Sequence, residues 1–239
     1  MTSPLNPDLP TFNLKQLQAE IGYSFQNPKL LLEAITHSTY AYEQRQPDCL
    51  DNERLEFLGD AVLDLVVSHL LYQNAAQFSE GQMTKTRALV VCEPTLAKAA
   101  IAMNLGSYLR LGRGEAATGG RKKASNLSNA VEAIIGATFQ DGGYQAAEAL
   151  VGRLLAADLK KAIAGKLVYD FKSRLIELIQ STRPQAMLKF VIVREEGPVH
   201  ERTFTAQVLL DERALGEGSG NSKKEAEQQA AQEALLRME

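Results

Sequence analysis

Long apolar runs are missing from this sequence of 239 residues: no uninterrupted stretch approaches the roughly 18 residues that a membrane-spanning helix requires. The N-terminal segment carries Pro4, Pro7 and Pro10 and no apolar core, so a secretory signal is not expected and a cytoplasmic location is. Cysteine is scarce. Cys49 and Cys92 lie far apart with no CxxC pattern, which excludes a disulfide framework and reads as two free or buried thiols in a reducing compartment. The three histidines, His37, His69 and His200, have no zinc-ligand spacing. His37 is expected to make structural hydrogen bonds, and His69, inside an apolar helix, to be a satisfied core residue. A nucleophile-elbow sequence is also missing, so a Ser-His-Asp hydrolase has no support. Nor is there an excess of positive charge. Residues 1–167 hold 16 Lys and Arg against 17 Asp and Glu, and residues 168–239 hold 10 against 12. Any nucleic-acid binding must therefore come from local patches rather than from overall charge.

What remains is an ordinary globular composition, 45% apolar and 23% charged, with length for one large or two modest domains. Residues 1–11 read as a disordered tail. From residue 12 to about 164 the apolar spacing is helical throughout, with helices expected at 14–21, 28–35, 51–73, 79–90, 93–103, 125–141 and 144–162. Residues 165–167 read as a linker. The pattern then changes: a helix over 171–180, strands over 187–195 and 201–210 around a turn at Gly197-Pro198, a short strand at 213–217, a Gly/Ser loop, and a helix over 222–238. The expected fold is thus an all-α domain (12–164) followed by a small α-β-β-β-α domain (168–239).

Residues 52–60, Asn-Glu-Arg-Leu-Glu-Phe-Leu-Gly-Asp, open the most apolar helix. Glu53, Glu56 and Asp60 stand at i, i+3 and i+7 and share one helix face. Apolar neighbours cover most of the remaining circumference, so the helix is expected to be buried. Carboxylates on a buried helix are costly unless a cation neutralises them, and a convergent oxygen cluster suits Mg2+ or Mn2+. Glu132 is a second carboxylate among apolar residues, with Asn129 one turn before it. Glu80 follows Ser79 at a helix start. Each has a plain structural alternative: Glu53 favours the helix macrodipole, and Glu80 fits an N-cap arrangement with Ser79. Asp64 shares the Asp60 face and suggests no function beyond a solvated or paired charge.

Four segments carry a resemblance: Leu-Leu-Leu-Glu-Ala-Ile-Thr-His-Ser (30–38), the run 52–60, Ser79–Val90, and Glu-Ala-Ile-Ile-Gly-Ala (132–137). In this order they resemble the catalytic domain of the ribonuclease III family over roughly residues 12–160. The resemblance implies that Glu56, Asp60 and Glu132 are metal and catalytic acids, with Asp60 and Glu132 catalytic, and that Glu53 and Glu80 are supporting acids. The family has aspartate where this chain has Asn129. An amide oxygen can ligate Mg2+ but brings no charge, so metal affinity should fall.

In the C-terminal segment, Gly216-Glu-Gly-Ser-Gly-Asn precedes Ser222-Lys223-Lys224 at a helix start, which offers N–H groups, the dipole and two ammonium groups to a phosphate. A capped helix with ordinary surface lysines is the alternative. The Gly197-Pro-Val-His200 loop and the Ser-Lys-Lys-x-Ala-Glu-Gln run make this segment resemble a double-stranded RNA-binding domain over about 168–238. Such domains read duplex RNA by shape, across two minor grooves and the intervening phosphates. The resemblance implies phosphate contacts by Lys223 and Lys224, and minor-groove contacts by His200 and by Ser173, Glu177 and Gln180. Ile176 stands where the family often has glutamine.

Together these resemblances imply a Mg2+-dependent endoribonuclease that cleaves double-stranded RNA, with Mn2+ as a substitute. They further imply 5′-phosphate and 3′-hydroxyl ends, a role in processing ribosomal and messenger RNA, and a homodimer in which Phe57 contacts the partner. The competing reading, motivated by Asn129, is a catalytically impaired double-stranded RNA-binding protein.

Overall fold

The computed structural model describes residues 14–46, 48–167, 169–198 and 202–238. The chain forms two compact units divided between Leu167 and Val168.

Helices build the first unit: α1 (Leu14–Ile21), α2 (Pro28–Ala34), α3 (Ser38–Gln44), α4 (Glu53–Asn74), α5 (Glu80–Val91), α6 (Glu93–Ala102), α7 (Arg113–Ala117) and α8 (Ala124–Ile163). Local chemistry marks their ends. Pro28 opens α2 behind Asn27, whose side chain accepts the Lys29 N–H, and Ser79 and Gln82 close a reciprocal capping box on α5. His37 caps α3 through Nδ1, which accepts the Thr39 N–H, so its structural role holds. The long helix α8 is broken where Gly143 adopts φ +72°, a conformation that glycine alone adopts without strain.

Helix α4 packs chiefly on α8 and forms the centre of the core. Leu55, Val62, Leu63, Val66, Val67 and Leu71 are buried on one side of it. The expectation that α4 is buried all round is corrected here. Phe57, Ala61, Leu65 and Tyr72 lie on the opposite side and are exposed, because no element of the unit covers them. His69 is likewise not a core residue. It is half-exposed, with Nδ1 2.8 Å from both Tyr144 Oη and Glu148 Oε1.

The second unit is α9 (Phe171–Thr182), β1 (Leu188–Glu196), β2 (Thr203–Leu210), β3 (Arg213–Gly220) and α10 (Lys223–Met238), with an antiparallel sheet in the order β1-β2-β3. Its core joins Leu175 and Ile179 of α9, Ala206, Val208 and Leu210 of β2, and Ala226, Ala230, Ala231 and Ala234 of α10. The expected Gly/Ser loop is instead the second half of β3. A Cβ on Gly216 or Gly218 would collide with the Ala230 backbone, so these glycines let α10 lie directly on the strand. Among the described residues no helix is long and apolar enough to cross a membrane.

Candidate active site and duplex-binding face

The acids converge because two helices cross where both lack a side chain. A Cβ on Gly59 of α4 would collide with the Glu132 carbonyl of α8, and a Cβ on Gly136 of α8 would collide with the Leu55 carbonyl of α4. This reciprocal contact holds the first turns of α4 against the Asn129–Glu132 turn. It was readable only as two glycines inside helical patterns, a signal of close packing rather than of chemistry.

The electrostatics show that the groups act on one another. Glu132 is pushed up to about 7, first by burial and then by the charges of Asp60, Glu56 and Asp64. Glu56 is also raised, chiefly by burial and next by the Glu53 charge; a hydrogen bond with Asn129 opposes the rise and Asp60 adds to it. Asn129 therefore offers Glu56 an amide N–H, while its Oδ1 lies 3.4 Å from Ser128 Oγ. Among the described residues no three His, Cys, Asp or Glu side chains form a ready liganding set. The donor chemistry nonetheless fits a hard divalent cation: three carboxylates and one amide, with two of the carboxyls destabilised as anions by burial and mutual repulsion.

The supporting acids differ. Glu53 acts on Glu56 directly and belongs with the cluster. Glu80 stands at the start of α5. Its Oε1 accepts from Thr84 at 3.0 Å, and it lines a surface cavity of about 640 Å³ with Leu65, His69, Tyr72, Met83 and Arg87. Asp64, for which the sequence suggested no function, adds to the field on Glu132 and lies 3.8 Å from Arg87 Nε. Phe57 projects from the same helix as the acids and is 81% exposed.

On the second unit, three of the six residues expected to contact RNA, Ser173, Lys223 and Lys224, stand in the first turns of α9 and α10. Ser173 donates its N–H and its hydroxyl to Asp170 at 3.0 and 2.7 Å, which leaves the hydroxyl oxygen as an acceptor. Glu177 and Gln180 are exposed further along α9. Ile176 is half-buried beside Gln180 and Arg183 in a small cleft. At the start of α10, Ser222 Oγ accepts the Glu225 N–H at 3.1 Å, so the capped-helix reading holds alongside the lysines. Lys223 Nζ lies 5.7 Å from the Phe204 ring centre, and the Lys224 charge helps to hold Asp170 below the usual carboxylate range, after the hydrogen bonds from Gln228 and Ser173. His200 lies outside the described residues. Sequence reasoning missed Asp170 and Gln228 altogether, because no local pattern joins positions so far apart.

Comparison with known proteins agrees with this geometry. The family described as ribonuclease-III-like matches residues 27–159, and the double-stranded RNA binding motif matches residues 171–238. The chain is 48% identical over 221 residues to the Ribonuclease 3 of Geobacillus thermodenitrificans, covering 92% of this chain and 89% of that protein. It is 46% identical over 223 residues to the Ribonuclease 3 of Carboxydothermus hydrogenoformans, covering 93% and 94%. Among solved structures, the nuclease domain of a ribonuclease III from Campylobacter jejuni, described for flexibility in a region involved in dimer formation, matches with a TM-score of 0.57 and 40% identity. It covers 61% of this chain and 97% of that one.

Proposed function

The chain belongs to the ribonuclease III family, and on that premise we propose that it hydrolyses double-stranded RNA at the Glu56, Asp60, Asn129 and Glu132 cluster, leaving 5′-phosphate and 3′-hydroxyl ends. The observation that carries the assignment is the close crossing of α4 and α8 at Gly59 and Gly136, which sets the turns of α4 bearing Glu56 and Asp60 against the turn of α8 bearing Asn129 and Glu132; the raised Glu132 carboxyl agrees with it. Glu56, Asp60, Glu132 and the amide oxygen of Asn129 would hold Mg2+, or Mn2+ in its place. Such an ion activates water and stabilises charge on the phosphate and the leaving 3′ oxygen. Glu132 holds a proton near neutrality in the metal-free protein and would give it up to solvent as a cation was held there. The water oxygen attacks phosphorus and loses a proton to a cluster carboxylate or solvent, the bond to the 3′ oxygen breaks, and that oxygen takes a proton from solvent to leave as a hydroxyl. Asn129 must turn its amide to present oxygen instead of N–H, and it adds no charge, so Mg2+ is bound more weakly and fills the site only at higher concentration. That feature is also what supports the catalytically impaired reading. Three intact carboxylates favour retained cleavage.

One site cuts one strand, so cutting both requires two copies. Phe57, Leu65 and Tyr72 form an exposed apolar stripe on α4, and an apolar-walled cavity opens beside Leu65 and Tyr72. An aromatic ring held in water, on the helix that also walls such a cavity, fits a homodimer in which Phe57 of one copy enters the cavity of the other. Ser173, Glu177, Gln180, His200, Lys223 and Lys224 would grip the duplex, and structured precursors of ribosomal and messenger RNA in the cytoplasm are the proposed substrates. Cleavage of a perfectly paired RNA with end-group analysis tests the reaction, and sedimentation of the wild type and Phe57→Ala tests the assembly. Products bearing 3′-phosphates would refute the first, and a monomeric wild type the second.

A further inference from the structure

A side-chain network joins the first turn of α9 to the second turn of α10, although the apolar core already holds the two helices together. The Gln228 carboxamide works at both ends. Its Oε1 accepts the Lys172 N–H of α9 at 3.1 Å, and its Nε2 donates to Asp170 Oδ1 at 2.8 Å. Asp170 is at the same time the N-cap of α9 and orients the Ser173 hydroxyl. The neighbouring Glu227 pairs with Lys172 Nζ at 2.7 Å, and that ammonium sits 4.7 Å from the Phe190 ring centre. Lys224 stands four residues before Gln228, on the same face of α10.

We propose that Gln228 and Asp170 form a positioning clamp for duplex RNA, setting the distance and rotation between the α9 residues Ser173, Glu177 and Gln180 and the α10 residues Lys223 and Lys224. The proposal rests on the reading that these two helix starts form the duplex-binding face. The physical argument is one of simultaneous engagement. A duplex of roughly 16 base pairs offers two minor grooves with phosphates between them, and contacts made from two elements at once gain only if the elements are held at the matching spacing. Apolar packing of alanines against Leu175 and Ile179 tolerates small rotations. Directional hydrogen bonds to a carboxylate do not, and they fix the ends of the helices where the contacts sit. Gln228 touches no RNA in this account and acts only through the groups it orients.

The test uses the full chain with chelator present, so that binding is measured without cleavage, on duplexes of about 16 and about 8 base pairs. Gln228→Met removes both hydrogen bonds at similar volume. Gln228→Glu keeps an acceptor for Lys172 but sets a second carboxylate against Asp170. The clamp predicts about tenfold weaker binding of the long duplex for Gln228→Glu, a smaller loss for Gln228→Met, and changes within about twofold on the short duplex. With Mg2+ restored, KM rises and kcat at saturation stays level. Parallel loss on both duplexes would mean mere destabilisation of the fold and would overturn the proposal, as would wild-type binding by both variants. The double variant Lys223→Ala, Lys224→Ala separates the two levels of the argument. If it binds the long duplex as well as the wild type, the face itself is misassigned; if it binds weakly while the Gln228 variants do not, the clamp alone is wrong.

Discussion

Glu132→Gln should make the metal-free protein more stable at alkaline pH while abolishing cleavage. Glu132 is pushed up to about 7 from an ordinary value of 4.5, first by burial and then by Asp60, Glu56 and Asp64. A carboxyl raised on folding favours the native state while it is protonated, and that advantage disappears as pH rises through the folded value. The full shift corresponds to about 3 kcal/mol. Glu132 keeps some contact with solvent and the cluster can relax, so about 1–2 kcal/mol is the expected effect. Glutamine carries no charge at any pH. In chelator-treated protein, urea unfolding of the helical unit followed by circular dichroism should show the variant ahead of the wild type at about pH 8.5 and level with it at about pH 5. Mg2+ should narrow the gap by neutralising the cluster. Equal stability differences at both pH values would refute the claim that Glu132 is held against its charge.

Two further outcomes follow from the packing. Gly59→Ala places a methyl group against the Glu132 carbonyl and forces α4 and α8 apart, so cleavage should fall about a hundredfold while chelator-phase binding of duplex RNA is unchanged. Asp141 accepts hydrogen bonds from Tyr23 Oη at 2.9 Å and from the N–H groups of Gln26 and Asn27 at 2.8 Å, tying the loop before α2 to α8. Burial pushes Asp141 up, but the N–H groups of Asn27 and Gln26 and the Tyr23 hydroxyl outweigh it and hold the carboxyl low; burial first, and then the same contact, push Tyr23 up to about 12. Stability from Asp141 is therefore present above the ordinary carboxylate range and lost as pH falls through its lowered value, and Asp141→Ala should cost about 2 kcal/mol at neutral pH with a flatter acid limb in denaturation curves.

The sequence was most legible where periodicity is long. Helix α4 and the break in α8 near Gly143 could be read from apolar spacing and glycine, and so could the order of elements in the second unit. Short helices α3 and α7 were missed because five to seven residues carry too little periodicity to separate them from turns, and neither opens on an Asn-Pro pair such as the one that marks α2 at the same short length. The burial of α4 was overstated for a physical reason: composition counts apolar residues but does not say what covers them, and Phe57 stays exposed while Leu65 and Tyr72 border an open cavity against α5. The Gly216-x-Gly218-x-Gly220 run looked like a loop because glycine is scarce in strands. Its period of two, matched to the alanines of α10, was the overlooked sign of a strand lying under a helix. Of the acids, Glu56, Asp60 and Glu132 could be found from carboxylates set among apolar residues. The contribution of Asp64 to their field depends on how α4 and α8 pack.

The most direct test of the central claim compares this chain with its Asn129→Asp variant on a long, perfectly paired RNA across a Mg2+ titration. The account predicts that both cut, with the variant reaching half its maximal rate at about a tenfold lower Mg2+ concentration because it restores one ligand charge. No cleavage by either protein at any Mg2+ concentration, with duplex binding intact in both, would contradict it.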